Sequence, residues 1–231
     1  MSVYLYFSDD EFPNPLNENE EIVAVGGDLS FKRLIKAYKL GIFPWYDRYT
    51  PILWWYTYPR LILELDNLHV SKRLFRIIKK REFRVTINFD FVKVINMCAY
   101  VNKQRDGDTW LLPEMIEAYT GLHELGYAHS VEAWQDNKIV GGLYGIAIGK
   151  VFFGESMFYI KPNASKVAFV YLVNYLKKFG FWFIDCQQST GHMRRFGAHE
   201  VSKKEFFTRL QEAIKLPHPK EMWAPQEIFY P

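Results

Sequence analysis

Residues 129–159 read HSVEAWQDNKIVGGLYGIAIGKVFFGESMFY. His129–Gln135 and Lys138–Ile148 flank a tight Asp136-Asn137 turn, the signal of a β-hairpin, and Lys150–Tyr159 follows as a third strand. Working outward, Asn163 stands where it can cap a helix over 164–178 that stops at Gly180, and Phe181–Asp185 is the next strand. Upstream, Leu61–Leu65 and Phe83–Ile87 read as strands. Helices are expected over 31–40 (cap Ser30, closed by Gly41), from Ser71 to about Arg81, over about 90–99, and from Pro113 to Leu125, ended by Gly126. Tyr100–Thr109 reads as a polar loop, a last helix covers about 203–215, and four prolines mark a mostly irregular tail. Helices, then a three-strand meander, then a helix and another strand make an α+β chain rather than a doubly wound parallel sheet. Neither GxGxxG nor GxxxxGK[ST] occurs, so nucleotide-binding folds have no support.

The chain has 231 residues, enough for one large domain or a main domain with a smaller one. Hydrophobic content of 49% and charged content of 24% are ordinary for a globular protein, whereas 18% aromatic is high and points to large packed surfaces or rings used in recognition. There is no apolar run of about 18 residues to span a membrane and no signal-peptide pattern, so a cytoplasmic location is expected. Cys98 and Cys186 lack CxxC spacing, which argues against a disulfide scaffold or a zinc module. Phe43-Pro44-Trp45-Tyr46 and Leu53-Trp54-Trp55-Tyr56 give the first part of the chain its own character. A small N-terminal domain is expected over 1–62, its rings mostly packing on the larger domain at 63–231.

The net charge of +3 is unevenly spread. Residues 1–30 hold seven acids and no Lys or Arg, whereas residues 31–84 hold thirteen Lys/Arg against four acids. On the helix after Ser71, Lys72, Arg73, Arg76, Lys79 and Lys80 fall within about a third of the circumference at 100° per residue, opposite Leu74, Phe75, Ile77 and Ile78. A solvated face over an apolar stripe accounts for that pattern, and so does a contact with a phosphate backbone.

Two strand-like segments, Val151–Phe158 and Phe181–Gln187, each deliver a carboxylate among residues expected to be buried: Glu155 and Asp185. Buried carboxylates are costly unless paired, hydrogen-bonded or used. Gly154 before Glu155 leaves room for another backbone or a ligand to approach. Asp185 and Gln187, two apart, share a face of an extended chain, where Asp185 can hold the Gln187 amide. Cys186 between them points the other way and reads as a structural thiol rather than a nucleophile served by His129 or His192. Ser156 and Ser189 lack a GxSxG elbow, and His192 and His199 have no carboxylate or Cys support for a metal.

Several blocks then resemble the leucyl/phenylalanyl-tRNA–protein transferases. They are Val25-Gly26-Gly27-Asp28-Leu29, Gly41-Ile42-Phe43-Pro44-Trp45, Leu53-Trp54-Trp55, Thr109-Trp110, Leu122–Gly126, Ala128–Glu132, Val140–Gly145, Gly154–Phe158 and Ile184-Asp185-Cys186-Gln187. They run in family order from about residue 10 to 210. The resemblance implies an acetyltransferase-like (GNAT-like) larger domain, with a mostly antiparallel central sheet flanked by helices. It implies transfer of Leu or Phe, less readily Met, from aminoacyl-tRNA to the α-amine of proteins beginning with Arg or Lys, which creates an N-end rule degradation signal. It further implies no cofactor or metal, no membrane and a monomer. Carried over by position, Asp185 and Gln187 are the catalytic pair and Glu155 the acid beside the acceptor's basic residue. Trp110, Leu143, Phe152, Met157, Phe169, Leu172, Leu176 and Ile184 would wall the pocket for the donor side chain. The basic helix at 72–80 would meet tRNA, with Trp45 near the terminal adenosine. Leu143, where relatives can carry Met, and Tyr159, where Ser is common, depart from the pattern. An acyl-CoA acetyltransferase would need a glycine-rich loop where Pro162-Asn163-Ala164-Ser165-Lys166 stands; a plain RNA-binding module would need the basic helix alone.

Overall fold

The computed structural model describes residues 3–5, 11–106 and 109–230. The hairpin forms as read. β7 (Ala128–Gln135) and β8 (Lys138–Ile148) pair antiparallel across Asp136 and Asn137, whose φ values of 51° and 57° are those of a type I′ turn. β9 (Val151–Tyr159) returns along β8. These three are the middle of an eight-stranded sheet. Its other strands are β5 (Arg60–Glu64), β6 (Arg84–Ile87), β10 (Phe183–Asp185), β11 (His199–Val201) and β12 (Gln226–Glu227), in the order β11-β5-β10-β9-β8-β7-β6-β12. Every pair is antiparallel except β9 with β10. The chain is therefore α+β, with a mostly antiparallel sheet flanked by helices.

Both faces of that sheet are covered. α5 (Ala164–Lys178) packs on β7, β8 and β9, and α2 (Lys72–Lys79) packs against α5. Their core contains Leu61, Leu63, Leu143, Phe152 and Ile184. The opposite face carries α3 (Phe91–Asp106) and α4 (Pro113–Glu124), over a core that includes Ile62, Tyr144, Phe153 and Phe183. Alternate residues of each strand thus go to opposite cores. Burial on both sides is why the strands read as nearly continuous apolar runs.

The N-terminal segment has a sheet of its own, β1 (Val3–Leu5), β2 (Ile22–Gly26), β3 (Phe43–Pro44) and β4 (Leu53–Trp55), in the order β1-β2-β4-β3, with α1 (Phe31–Lys39) between β2 and β3. β5 already belongs to the larger sheet. Trp54, Tyr56 and Phe43 are buried in one core with Phe153 and Phe206, the latter on α7 (Lys203–Ala213), so most of the aromatic block is packing. Gly41 closes α1 at φ 76°, and a Cβ there would meet the Phe206 ring at 2.7 Å.

Some local expectations give way. α3 continues to Asp106, through the stretch read as a loop. Val101 packs on the core, and Lys103 and Gln104 are good helix formers with no Gly or Pro before Gly107. α2 ends at Lys79, and Arg81 adopts φ 52°. Ser71 does cap it, accepting from the Leu74 N–H, but Ser30 and Asn163 make no side-chain cap, and Asn163 lies at φ 71°. β10 begins only at Phe183. The short helix α6 (Gly191–Arg194) and the edge strands β11 and β12 carry too little periodicity to read.

Candidate active site

β9 and β10 run parallel from Val151 and Phe183 to Phe153 and Asp185, where the pairing ends. At the same level β9 carries a bulge: Gly154 stands opposite Gly145 and Ser156 opposite Tyr144, with Glu155 the extra residue. A cavity of about 660 Å³ opens there. Glu155 enters from β9. Gln187, just past β10 and at φ 58°, meets it from the other side, its Nε2 donating to Glu155 Oε1 at 2.9 Å. The close backbone approach expected at Gly154 is at Gly145 instead. A Cβ on Gly145 would lie 2.2 Å from Phe153 O, whereas one on Gly154 would meet nothing nearer than 3.5 Å.

The two acids differ in their surroundings. Asp185 is wholly buried and forms a two-point ion pair with Arg60, Nε to Oδ1 at 2.8 Å and Nη2 to Oδ2 at 2.7 Å. Its Oδ1 also accepts the main-chain N–H of Gln187 at 2.8 Å, so Asp185 fixes the Gln187 backbone rather than its side-chain amide. Arg60 donates further to Thr57 Oγ1 and Gly41 O and lies 4.6 Å from the Phe206 ring centroid. Asp185 is not among the cavity-lining residues; Glu155 is.

Glu155 is half-buried and accepts from Tyr38 at 2.8 Å and from Tyr119 at 3.3 Å, the two hydroxyls lying 2.5 Å apart. Burial, with the nearby Asp185 charge, pushes its pKa from 4.5 up to about 7, against the pull of the donors Tyr38, Tyr119 and Gln187. Burial and Glu155 itself hold both tyrosines protonated, so they remain donors.

Leu143, Phe152, Met157, Phe169, Leu172 and Ile184 line the cavity together. Trp110 and Leu176 do not: Trp110 packs on the core of the opposite face, and Leu176, on α5, is wholly buried in the core under that helix. Cys186 does line it, contrary to the expected direction, but burial and Asp185 drive its thiol pKa upward and leave no thiolate. His129 lies elsewhere, stacked on Trp223 at 3.8 Å and held neutral by burial. Arg60, Tyr38, Tyr119 and Tyr144 were missed. They sit in or beside apolar runs, and no local spacing links residues 38, 60 and 119 to 155 and 185; only the fold does.

On α2 the five cations are exposed, and none is paired with an acid among the described residues; Leu74 and Ile78 are buried beneath them. Trp45, 37% exposed, packs on Trp55 and does not line the cavity. Arg194, just after His192, pairs with Glu200. Among the described residues no helix is long and apolar enough to cross a membrane.

The L-PGS structure from Bacillus licheniformis aligns over 89% of this chain and 65% of that one, at 13% identity and a TM-score of 0.42, too loosely to carry an assignment. The sequence relatives are much nearer. The leucyl/phenylalanyl-tRNA--protein transferase of Maridesulfovibrio salexigens is 52% identical over 232 residues, 100% of this chain and 97% of its own. That of Solidesulfovibrio magneticus is 54% identical over 92% of this chain and 87% of its own. The family model for leucyl/phenylalanyl-tRNA protein transferase matches residues 62–211 and that for its N-terminal domain residues 27–57, and the chain belongs to this aminoacyltransferase family.

Proposed function

We propose that the cavity holds the aminoacyl end of Leu-tRNA or Phe-tRNA and presents its ester to the α-amine of a protein beginning with Arg or Lys. The observation that carries this reading is Glu155 on the wall of a cavity with a large apolar surface, hydrogen-bonded to Gln187 where β9 and β10 part. Leu143, Phe152, Met157, Phe169, Leu172 and Ile184 suit a branched aliphatic or aromatic side chain. One methylene changes binding in such a wall by only about 1–3 kcal/mol, which supports a donor range that extends to Met.

The ester is already activated, so the protein has to align an amine, accept its proton and support the developing oxyanion. The amine nitrogen bonds to the carbonyl carbon, the ester C–O bond breaks, and the terminal ribose hydroxyl of tRNA leaves. A protein α-amine has a pKa of about 7.7–8.0. Glu155, with a pKa of about 7 and a place on the cavity wall, is matched to take its proton and return it to the leaving oxygen. Asp185 has no free face toward the cavity; through Arg60 and the Gln187 N–H it positions Gln187, whose side chain orients Glu155. The α2 cations supply a contact for the tRNA backbone.

Transfer of Leu from charged tRNA to a peptide beginning with Arg tests the reading; a folded enzyme that makes no peptide bond overturns it. A second reading of Glu155 follows from its being the sole Asp or Glu lining the cavity among the described residues: it pairs with the basic side chain of the acceptor. In that case Glu155→Gln would abolish the preference for Arg over an uncharged first residue while keeping the pH dependence of the rate.

A further inference from the structure

Part of the cavity is lined by neither acid nor apolar wall. Ser165 and Lys166, in the first turn of α5, and Thr190 and His192, from the turn that opens α6, come together there. Ser165 is only 3% exposed, lines the cavity, and its hydroxyl has no hydrogen-bond partner among the described residues. The N–H of Ala164 reaches Lys161 O and that of Val167 reaches Asn163 O. Those of Ser165 and Lys166 find no acceptor among the described residues, and Asn163 gives no side-chain cap. His192 Nε2 is buried and without a partner among the described residues. Lys166 is exposed and pairs with no acid among the described residues.

We propose that this corner is a phosphate subsite that takes a phosphodiester from the 3′ end of the RNA donor. A buried hydroxyl, two N–H groups at the start of a helix with no acceptor among the described residues, an ammonium group and an imidazole nitrogen are donors to an anion with several oxygens, and a phosphodiester supplies them. Among the described residues no carboxylate stands with these groups, and Glu155 is the one acid on the cavity wall. Burial, and after it the Lys166 and Arg195 charges, depress the His192 pKa, so both cations lie close enough to act on this corner. The choice of RNA as the source rests on the aminoacyl-tRNA reading of the cavity. Beyond that reading, the subsite implies that the enzyme grips the chain next to the terminal adenosine, and that the grip adds affinity distinct from that of α2.

The test compares puromycin, an aminoacyl-adenosine mimic with no 5′-phosphate, with the same molecule extended by two cytidines and so carrying phosphodiesters. The extended ligand is too short to need α2. With the wild-type protein it should bind about tenfold tighter or more, and Lys166→Ala should bring the two affinities to within about threefold. Bound phosphate favours the charged imidazole, so the His192 ring signals should titrate at higher pH with the extended ligand and not with puromycin. Equal affinities in the wild type, or a ratio that Lys166→Ala leaves intact, would overturn the subsite while leaving the transferase reading standing. Failure of both ligands to bind would instead count against that reading. Inorganic phosphate, followed at His192, would then decide the subsite alone: a Lys166-dependent shift retains it and none ends it.

Discussion

Glu155 is where proton affinity and position coincide. Its carboxyl is raised to about 7 by burial, while Tyr38, Tyr119 and Gln187 donate to it and favour the charged form. Removing a donor therefore raises the pKa further. Tyr38→Phe should move the rising limb of the transfer rate to higher pH, measured by single-turnover kinetics, with a smaller effect on the rate at the plateau. The same shift bears on stability. Between 4.5 and about 7 the folded state holds a proton that the unfolded chain has released, so stability falls as pH rises through that window. Glu155→Gln should flatten this part of a Tm-against-pH curve; an unchanged slope would place the titrating group elsewhere. Of the site residues, Glu155, Asp185 and Gln187 were legible because an acid or amide inside an apolar run is conspicuous. Their roles were not. Whether a buried Asp meets substrate or an arginine depends on Arg60, 125 residues away in sequence.

At the scale of elements, the bulge in β9 makes the site. It turns Glu155 toward Tyr38 and Tyr119, while Met157 still reaches the core beneath α5. Gly145 opposite it has no room for a side chain. Gly145→Ala should cost about 1–3 kcal/mol in chemical denaturation and disturb the cleft, because the clash is with backbone. α2 works separately: its cations have no acid partners among the described residues, so Arg76→Ala with Lys79→Ala should weaken tRNA binding and reduce the salt slope by about one to two, with puromycin affinity retained. The hairpin and the helices ended by glycine were readable because Asp-Asn turns and left-handed glycines act locally. The end of α3 and the edge strands were not, since a helix held by one packed residue such as Val101, or a two-residue strand such as β12, owes its existence to neighbours far along the chain. Trp110 and Leu176 were placed on the pocket wall by the resemblance; in the fold one precedes α4 and the other lies in α5, and neither lines the cavity.

Across the whole molecule, Arg60 ties the N-terminal part to the catalytic cleft. From β5 it reaches Gly41 after α1, Thr57 after β4 and Asp185 on β10, with Phe206 of α7 beside it. Removing one partner of a buried pair leaves the other charge uncompensated, so Arg60→Met should cost about 3–5 kcal/mol and loosen Gln187. The double variant Arg60→Met, Asp185→Leu should recover most of the stability while activity stays low. The proposed arrangement is a donor held in the cavity, an amine at its mouth and Glu155 between them. The pH profile of Leu transfer from charged tRNA to an Arg-initiated peptide, in the wild type and in Glu155→Gln, tests this arrangement most directly. The wild-type rate should rise with pH through about 7, and the variant should be slower by about 10²–10⁴-fold and lack that limb; a folded Glu155→Gln enzyme with the wild-type rate and the wild-type limb would overturn the arrangement.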